Sequence, residues 1–333
     1  MSKRRLTHKQ LRQTKQNQRK RVEHASKSST HSTQSETLGP AQFGIVTSNF
    51  GQNLVVQDEQ HHSHRCNVRQ NLGSVVCGDE VVWHQLATEE GIVTAIRPRR
   101  SLLERPVHRG DAKPVAANID QVLIVTAPVP SLQKTLIDRY LVASEIAGIN
   151  AVILVNKIDL LSAKELDALK GQIETYQDLG YSVLYFSAKS GVGSKELVQI
   201  LKSKNSVLAG QSGVGKSSTI KFLLPDQEIQ IGELADRLNL GKHTTTTSQL
   251  FHLEHGGAII DSPGVRDFGL WQYPKEKILW GFKEFRDVLG MCKYRNCTHH
   301  HEPGCKLREK AESGELSAER YQSLLKILTQ VNL

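Results

Sequence analysis

The stretch Gly210-Gln211-Ser212-Gly213-Val214-Gly215-Lys216-Ser217, with Ser218 after it, decides the fold. It fits the pattern G-x-x-x-x-G-K-[ST] of phosphate-binding loops, whose glycines let the backbone approach a triphosphate closely. Residues 206–209 before it predict a short buried strand, and residues 218–224 after it predict the opening of a helix. Backbone N–H groups at such a helix N-terminus point towards one anion. The stretch therefore predicts a nucleoside triphosphate site, in which Lys216 reaches the β- and γ-phosphates and Ser217 binds Mg²⁺.

Apolar strands and helices alternate on the N-terminal side of this loop. The runs 122–125, 151–155 and 183–186 are continuously apolar, as strands covered on both faces should be. An apolar stripe at helical spacing lies over 132–143, and a second helix is predicted over 163–179. This alternation predicts an α/β sheet of the doubly wound type.

Two short motifs each follow a predicted strand, Asn156-Lys157-Ile158-Asp159 and Ser187-Ala188-Lys189. Ligands of α/β sheets bind at the carboxyl ends of the strands. The Asp159 carboxylate can accept two hydrogen bonds from guanine, whereas adenine would leave it unpaired at a cost of about 1–3 kcal/mol. We expect Asn156 at another edge of the base, Lys157 over its ring, and a backbone N–H of the second motif at the guanine carbonyl. Together the two motifs predict that the nucleotide is GTP.

A further motif, Asp261-Ser262-Pro263-Gly264, follows a predicted strand over 257–260. We expect Asp261 to hold Mg²⁺ through water and the Gly264 N–H to sense the γ-phosphate. The segment Gly241-Lys242-His243-Thr244-Thr245-Thr246-Thr247 lies between this motif and the phosphate loop. One of its threonines should ligate Mg²⁺, and four in a row leave open which one.

The order of these motifs is unusual. An ordinary small GTPase has its phosphate loop first, then the switch threonine, D-x-x-G, N-K-x-D and S-A-K. Here the Asn156 and Ser187 motifs precede the phosphate loop. The sheet is therefore predicted to be circularly permuted, with the chain break after the D-x-x-G strand.

The N-terminal 40 residues carry most of the formal charge of +9, because they hold ten Lys or Arg against only Glu23 and Glu36. They contain few large apolar side chains and cannot bury enough surface to fold alone. We expect a disordered basic arm over 1–39 that binds a polyanion, RNA or DNA being the usual one. A solubilising tail without a partner is the alternative.

The next segment, 40–104, is predicted to be all-β. Its glycines separate five short apolar runs, 43–46, 53–57, 65–68, 79–83 and 90–96. Five short strands in about 60 residues favour a small closed barrel of the OB type. Such barrels often bind single-stranded nucleic acid, although the fold alone proves no ligand.

Three of the five cysteines lie close together near the C-terminus, in the pattern Cys292-x4-Cys297-x-His299-x5-Cys305. Three thiolates and one imidazole form a closed tetrahedral set that is typical of structural Zn²⁺ and leaves no position for a catalytic water. His300 and His301 are neighbours that could compete with His299. Helical patterns flank the cluster near 274–289 and 315–330.

The chain contains no run of 18 apolar residues, and its N-terminus is basic rather than apolar. We therefore expect neither a membrane span nor a signal peptide, and a cytoplasmic protein. The predicted organisation is an arm (1–39), an OB barrel (40–104), a permuted GTPase domain (105–271) and a helical zinc-binding domain (272–333).

These motifs, in this order, resemble those of the ribosome small-subunit-dependent GTPase A family (RsgA/YjeQ) over about residues 40–310. The resemblance implies a monomeric GTP hydrolase that acts on the small ribosomal subunit late in its assembly and is stimulated by the subunit. It implies that the barrel and the zinc domain bind ribosomal RNA, that His299 is the fourth zinc ligand, and that Mg²⁺ accompanies GTP. Rival functions are a GTPase acting on tRNA or a translation step, and a nucleotide-gated RNA-binding module whose hydrolysis is incidental.

One position departs from Ras-like proteins. Val265 follows the D-x-x-G motif where they carry the glutamine that positions water, and an apolar side chain cannot orient water. We expect His243 to do so instead. Because the permutation lets the chain run from Gly264 into the zinc domain, we also expect the nucleotide to alter how that domain sits against the GTPase core.

Overall fold

The fold is taken from a computed structural model, which describes residues 16–23, 38–50, 53–70, 72–105, 112–226, 248–261, 270 and 273–331. Several predicted site residues lie outside these ranges, namely His243, Thr244–Thr247, Gly264 and Val265.

Five strands form a closed N-terminal barrel: β1 (Ala41–Phe50), β2 (Asn53–Gln57), β3 (Ser63–Val68), β4 (Glu80–Ala87) and β5 (Glu90–Ile96). They follow the order β1-β2-β3-β5-β4, and β4 pairs back onto β1. Trp83 of β4 has no exposed surface and belongs to the buried apolar cluster of the barrel. The predicted OB-like barrel is confirmed.

A helix over residues 16–23, α1, corrects part of the expectation for the arm. The arm was expected to be disordered over 1–39, but α1 lies against the barrel. Gln18 Nε2 donates to Leu72 O over 3.2 Å, and Arg21 Nη1 donates to Thr94 O over 2.9 Å. Composition predicted disorder because the segment lacks apolar side chains, whereas these contacts are polar and depend on the barrel.

A short hairpin that the sequence pattern did not predict follows the barrel. It consists of β6 (Leu102–Arg105) and β7 (Lys113–Ala117), which pair antiparallel. Cys77 of the barrel forms an isolated bridge to Ala116, so the hairpin packs against the barrel.

The α/β core has the predicted strands β8 (Gln121–Thr126), β9 (Asn150–Val155), β10 (Ser182–Tyr185), β11 (Asn205–Ala209) and β13 (Ala258–Asp261), with β12 (Gln249–His252) added. Their order is β10-β9-β8-β11-β13-β12, and all neighbours are parallel except β12 with β13. The helices α2 (Lys134–Ala147), α3 (Ala163–Asp178), α4 (Ser194–Leu201) and α5 (Lys216–Leu223) complete the core. β8 lies beside the phosphate-loop strand β11 in the sheet. β8, β9 and β10 all precede β11 in the chain, and the motifs 156–159 and 187–189 follow β9 and β10, which confirms the circular permutation.

The barrel and the core share one sheet. Ser48 of β1 pairs with Gln249 of β12, so the described strands other than β6 and β7 form one continuous sheet of eleven. His252 of β12 also contacts the barrel, its Nε2 lying 2.6 Å from Gln57 Oε1.

The C-terminal region contains α6 (Lys275–Gly281), a 3₁₀ helix (Lys283–Val288), α7 (Lys306–Glu312) and α8 (Ala318–Val331). Its apolar side chains belong to the same buried cluster as those of α2 and α3. The region is therefore packed as part of the GTPase core rather than as a separate body.

A buried ion cluster lies in this contact. Arg320 of α8 is 2% exposed and donates to Asp138 of α2 over 2.5 Å and to Glu284 over 2.6 Å. Asp138 also accepts the Tyr176 hydroxyl over 2.8 Å. Burial alone lowers the pKa of Arg320, but the two carboxylates outweigh burial and raise it. Each of these buried charges is compensated by the others. Removing one of them would leave an uncompensated charge in the contact between the zinc domain and α2.

We predict that Arg320→Leu lowers the free energy of unfolding by about 3–5 kcal/mol, because Asp138 and Glu284 lose their buried cation. Urea denaturation measures the change. The control is Lys310→Ala, which breaks an exposed pair with Glu315 and should cost under about 1 kcal/mol. Equal effects of the two substitutions would contradict the role assigned to the cluster.

Candidate functional site

The phosphate loop runs from β11 into α5, and its glycines are required by shape. Gly210, Gly213 and Gly215 have φ of 141°, 82° and 94°, a region that side chains disfavour. A Cβ at Gly210 would lie 2.2 Å from Val125 O, and one at Gly215 would lie 2.3 Å from the Asn156 amide nitrogen. The loop is therefore pressed against the neighbouring strand ends and takes no side chain at these positions.

The charged and hydroxyl groups of the loop lie at its helix end. Lys216 begins α5, and its Nζ donates to Gly210 O over 2.6 Å and to Gln211 O over 2.7 Å. Ser217 and Ser218 are exposed in the first turn, while Val214 is buried beneath the loop. The cation is thus held at the mouth of the loop, where a phosphate would meet it.

Asn156 makes contacts between loops that its motif did not predict. It is only 1% exposed, and its side chain is enclosed by the neighbouring loops. Its Nδ2 donates to Val214 O over 3.0 Å, and its Oδ1 accepts from Ala188 N over 3.2 Å and from Lys157 N over 2.8 Å. The side chain therefore ties the phosphate loop to the two base-recognition motifs.

Lys157 makes a second tie between the same loops. It adopts a left-handed backbone with φ of 63°, which directs its side chain back across the site. Its Nζ donates to Gly213 O over 2.6 Å and to Val129 O over 2.9 Å. The stem of Lys157 consequently crosses from the base-recognition motif to the phosphate loop.

Asp159 is exposed and is oriented by the second motif. Its Oδ1 accepts the Ser187 hydroxyl over 2.6 Å, and Ser187 Oγ in turn accepts from Ser190 N over 3.0 Å. Ile158 N donates to Phe186 O over 3.4 Å, and Lys189 is exposed beside the site. Among the residues described, Oδ2 of Asp159 has no partner, so it remains available to a ligand.

Asp261 is the last residue of β13 and lies at the same edge of the sheet as the loop. The register Val207↔Ile260 between parallel β11 and β13 places both strand ends there. Gly264 and His243 fall outside the described residues, so their positions relative to Asp261 stay predictions.

Sequence reasoning missed the segment 128–131 as part of the site. Val129 O accepts from Lys157, Ser131 O accepts from Gln211 Nε2 over 3.3 Å, and Pro130 lies 3.5 Å from a Cβ built at Gly213. The clustered Pro128-Val129-Pro130 at a strand end was the available signal.

The cysteine cluster is assembled as its spacing predicted. The donor atoms of Cys292, Cys297, His299 and Cys305 all lie within 4.8 Å of one another. His299 Nδ1 is 3.7 Å from Cys292 Sγ and 3.5 Å from Cys305 Sγ. A tetrahedral zinc centre requires an S–N separation of about 3.6 Å, so the residues fit one such ion.

Side chains of α6 and α8 donate hydrogen bonds to backbone carbonyls of this cluster. The Tyr321 hydroxyl donates to His299 O over 2.5 Å, and Lys275 Nζ donates to Cys297 O over 2.7 Å.

Cys66 is a buried thiol of the barrel and lies outside this cluster. Burial raises the pKa of Cys66 to about 12, so this thiol stays protonated.

The fold and the site together define a circularly permuted GTPase with an N-terminal barrel and a C-terminal metal-binding region. The model of the RsgA GTPase family matches residues 96–271. The chain belongs to the RsgA GTPase family and is a GTPase.

Relatives resemble the chain along its whole length. "Small ribosomal subunit biogenesis GTPase RsgA" of Haemophilus influenzae (strain 86-028NP) is 43% identical over 336 residues, covering 100% of this chain and 97% of the relative. The protein of the same name from Shewanella oneidensis is 44% identical, covering 98% and 94%.

Solved structures agree with the fold. The crystal structure of YjeQ from Thermotoga maritima has a TM-score of 0.70 at 32% identity and covers 87% of this chain and 98% of that one. The structure of YloQ, a circularly permuted GTPase, has a TM-score of 0.68 at 26% identity and covers 90% and 98%. Within the described part of the chain, no helix has the length and apolarity needed to cross a membrane.

We predict that Cys297→Ser lowers the zinc content of the purified protein and the stability of the C-terminal helices, because one thiolate of the set is lost. Metal content is measured by mass spectrometry of the intact protein. Cys66→Ser is the matched control, a buried cysteine outside the cluster, and should keep its zinc. Full zinc occupancy in Cys297→Ser would contradict the ligand assignment.

Proposed function

We propose that this GTPase acts in late maturation of the small ribosomal subunit, binds ribosomal RNA, and uses hydrolysis stimulated by the subunit to gate its docking and release. The full-length relatives named for small ribosomal subunit biogenesis support this proposal. The observation that carries it is the architecture. A permuted GTPase site is joined through one sheet to a nucleic-acid-type barrel and through one core to a metal-binding region.

Asp159 reads guanine in this proposal, and the stem of Lys157 helps to enclose the base. The phosphates lie over the loop and Lys216. The GTP-binding set is Asn156, Lys157, Ile158, Asp159, Ser187, Ala188, Lys189, Gly210, Gln211, Ser212, Gly213, Val214, Gly215, Lys216, Ser217, Ser218, Asp261 and Gly264. Asn156 acts in this set by holding the loops together rather than by touching the base.

Mg²⁺ would be held by the Ser217 hydroxyl, by Asp261 and by one of Thr244–Thr247. Hydroxyl and carboxylate oxygens are the hard ligands that this ion prefers. When bound, the ion neutralises charge that develops on the phosphates during transfer. The second metal is one structural Zn²⁺ at Cys292, Cys297, His299 and Cys305.

The basic arm and the barrel supply an RNA surface. Arg21 of α1 is partly buried on the barrel, and burial together with the nearby Arg69 cation lowers its pKa. Two guanidinium groups held close together create a positive potential that an anion would relieve. A backbone phosphate of RNA is such an anion.

His243 is proposed as the catalytic residue that positions water, since Val265 cannot do so. The subunit would hold the segment 241–247 so that His243 faces the γ-phosphate. We further propose that the protein is a cytoplasmic monomer.

The proposal is tested by GTP turnover with and without purified small subunits. We expect strong stimulation of the wild-type protein by subunits and none by tRNA. His243→Ala should lose about 10²–10⁴-fold of the stimulated rate, because the group that positions the attacking water is removed, while GTP binding and docking persist.

His255→Ala serves as the control, because His255 is an exposed histidine in the turn between β12 and β13. This variant should hydrolyse GTP at the wild-type rate. Equal turnover with and without subunits would overturn the proposed function, and stimulation by tRNA would favour the rival. A wild-type rate in His243→Ala would remove only the catalytic assignment.

A further inference from the structure

The loop between the first two cysteines of the metal cluster exposes an aromatic side chain between two cations. Tyr294 is 43% exposed, and it stands between Lys293 and Arg295, both of which are also exposed. The neighbouring Met291 is 60% exposed. Tyr294 is not a member of the buried apolar cluster to which the C-terminal helices contribute, so its ring is not required by the core.

The backbone of this loop is fixed on both sides of Tyr294. Lys293 N donates to Gly304 O over 3.0 Å, and Tyr294 O accepts from Cys297 N over 3.2 Å. Gly304 lies so close that a Cβ there would be 2.9 Å from Lys293 Cβ. The ring is therefore presented on a turn that is held in place, which reduces the ordering entropy lost when a partner binds.

The charge of the loop favours an anion. Between Cys292 and Cys297 the loop contains Lys293 and Arg295 but no Asp or Glu, and the nearest acidic residues in the sequence are Asp287 and Glu302. Among the residues that the structure describes, neither cation has an acidic partner. A Cys₃His zinc centre would carry one net negative charge, and the Glu302 carboxylate that accepts from Thr298 adds a second, so the two cations balance these charges.

The exposed Trp280 of α6 provides a contrast within the same region. It is 47% exposed, but the Arg286 guanidinium lies over its ring, with Cζ 3.9 Å from the centroid, and Nη2 of Arg286 is bound to Glu145 over 2.6 Å. Lys293 Nζ lies farther from the Tyr294 ring, 5.6 Å from its centroid, and is not ion-paired among the described residues. A ring whose face is covered by an ion-paired guanidinium suits a stacked base less well than the ring of Tyr294.

We propose that Tyr294 is a stacking platform for an unpaired base of RNA, with Lys293 and Arg295 binding the phosphates on either side of that nucleotide. This inference rests on the proposed function, because it assumes that RNA is the partner. A pair of cations alone would bind duplex and single strands alike, whereas an aromatic ring can stack only on a base that is unpaired. Stacking of this kind accepts any of the bases. The site therefore selects single-stranded or flipped-out nucleotides by shape rather than by sequence.

The test measures binding of the full-length, zinc-loaded protein to fluorescent single-stranded RNA oligonucleotides and to small subunits. Tyr294→Ala should weaken binding to both by about 5- to 150-fold, the effect of losing one stacked base, and leave the salt dependence unchanged. Tyr294→Phe should bind as the wild type, because the ring is kept. Lys293→Ala should instead reduce the slope of log K against log salt by about 0.7, the value for one phosphate of a single strand.

Trp280→Ala is the matched control, since it removes an exposed aromatic ring of the same region and should leave RNA affinity unchanged. Zinc content of each variant shows that the cluster is intact. If the wild type binds but Tyr294→Ala binds RNA equally well, the stacking site is overturned while the proposed function stands. Loss of subunit binding with oligonucleotide binding unchanged would mean a protein contact and would also overturn it. If the wild type binds neither RNA nor subunits, the proposed function itself fails.

Discussion

The side-chain amide of Asn156 is the interaction on which the nucleotide site depends. Three loops meet at the carboxyl edge of the sheet, and each comes from a different strand. Asn156 belongs to one of them and hydrogen-bonds to the backbone of the other two, through Val214 O and Ala188 N. A buried amide with all its partners satisfied gives a well-defined geometry, since any other arrangement leaves polar groups unpaired in the interior. Gly215 is required for this arrangement, because a Cβ at position 215 would collide with the side-chain amide of Asn156.

A second constraint acts at the other side of the core. The Arg320–Asp138–Glu284 cluster joins the C-terminal helices to α2, and α2 begins just after the segment 128–131 that contacts the phosphate loop. The sequence suggested that the nucleotide acts on the zinc domain through the chain after Gly264. The structure shows in addition that α2 contacts the same domain through the buried Arg320–Asp138 ion pair.

The sequence predicted the elements whose chemistry is local. Continuous apolar runs such as 151–155 identified the buried strands, and the glycine and cysteine spacings identified the phosphate loop and the metal cluster. β12 was missed because Gln249-Leu250-Phe251-His252 is short and half polar, so its strand character comes from pairing with β13 and β1. The role of Asn156 was missed for a similar reason. A motif specifies the residue type, but the partners of a side chain depend on which loops the fold brings beside it.

The most direct test of this account is the affinity of Asn156→Ala for GDP, measured by calorimetry beside Asn150→Ala, an exposed asparagine at the start of the same strand. The account predicts a loss of about 5- to 150-fold for Asn156→Ala, because the Ala188 N–H and the Val214 carbonyl lose a buried partner at about 1–3 kcal/mol, and no loss for Asn150→Ala. Equal affinities in the two variants would contradict the claim that this amide holds the site together.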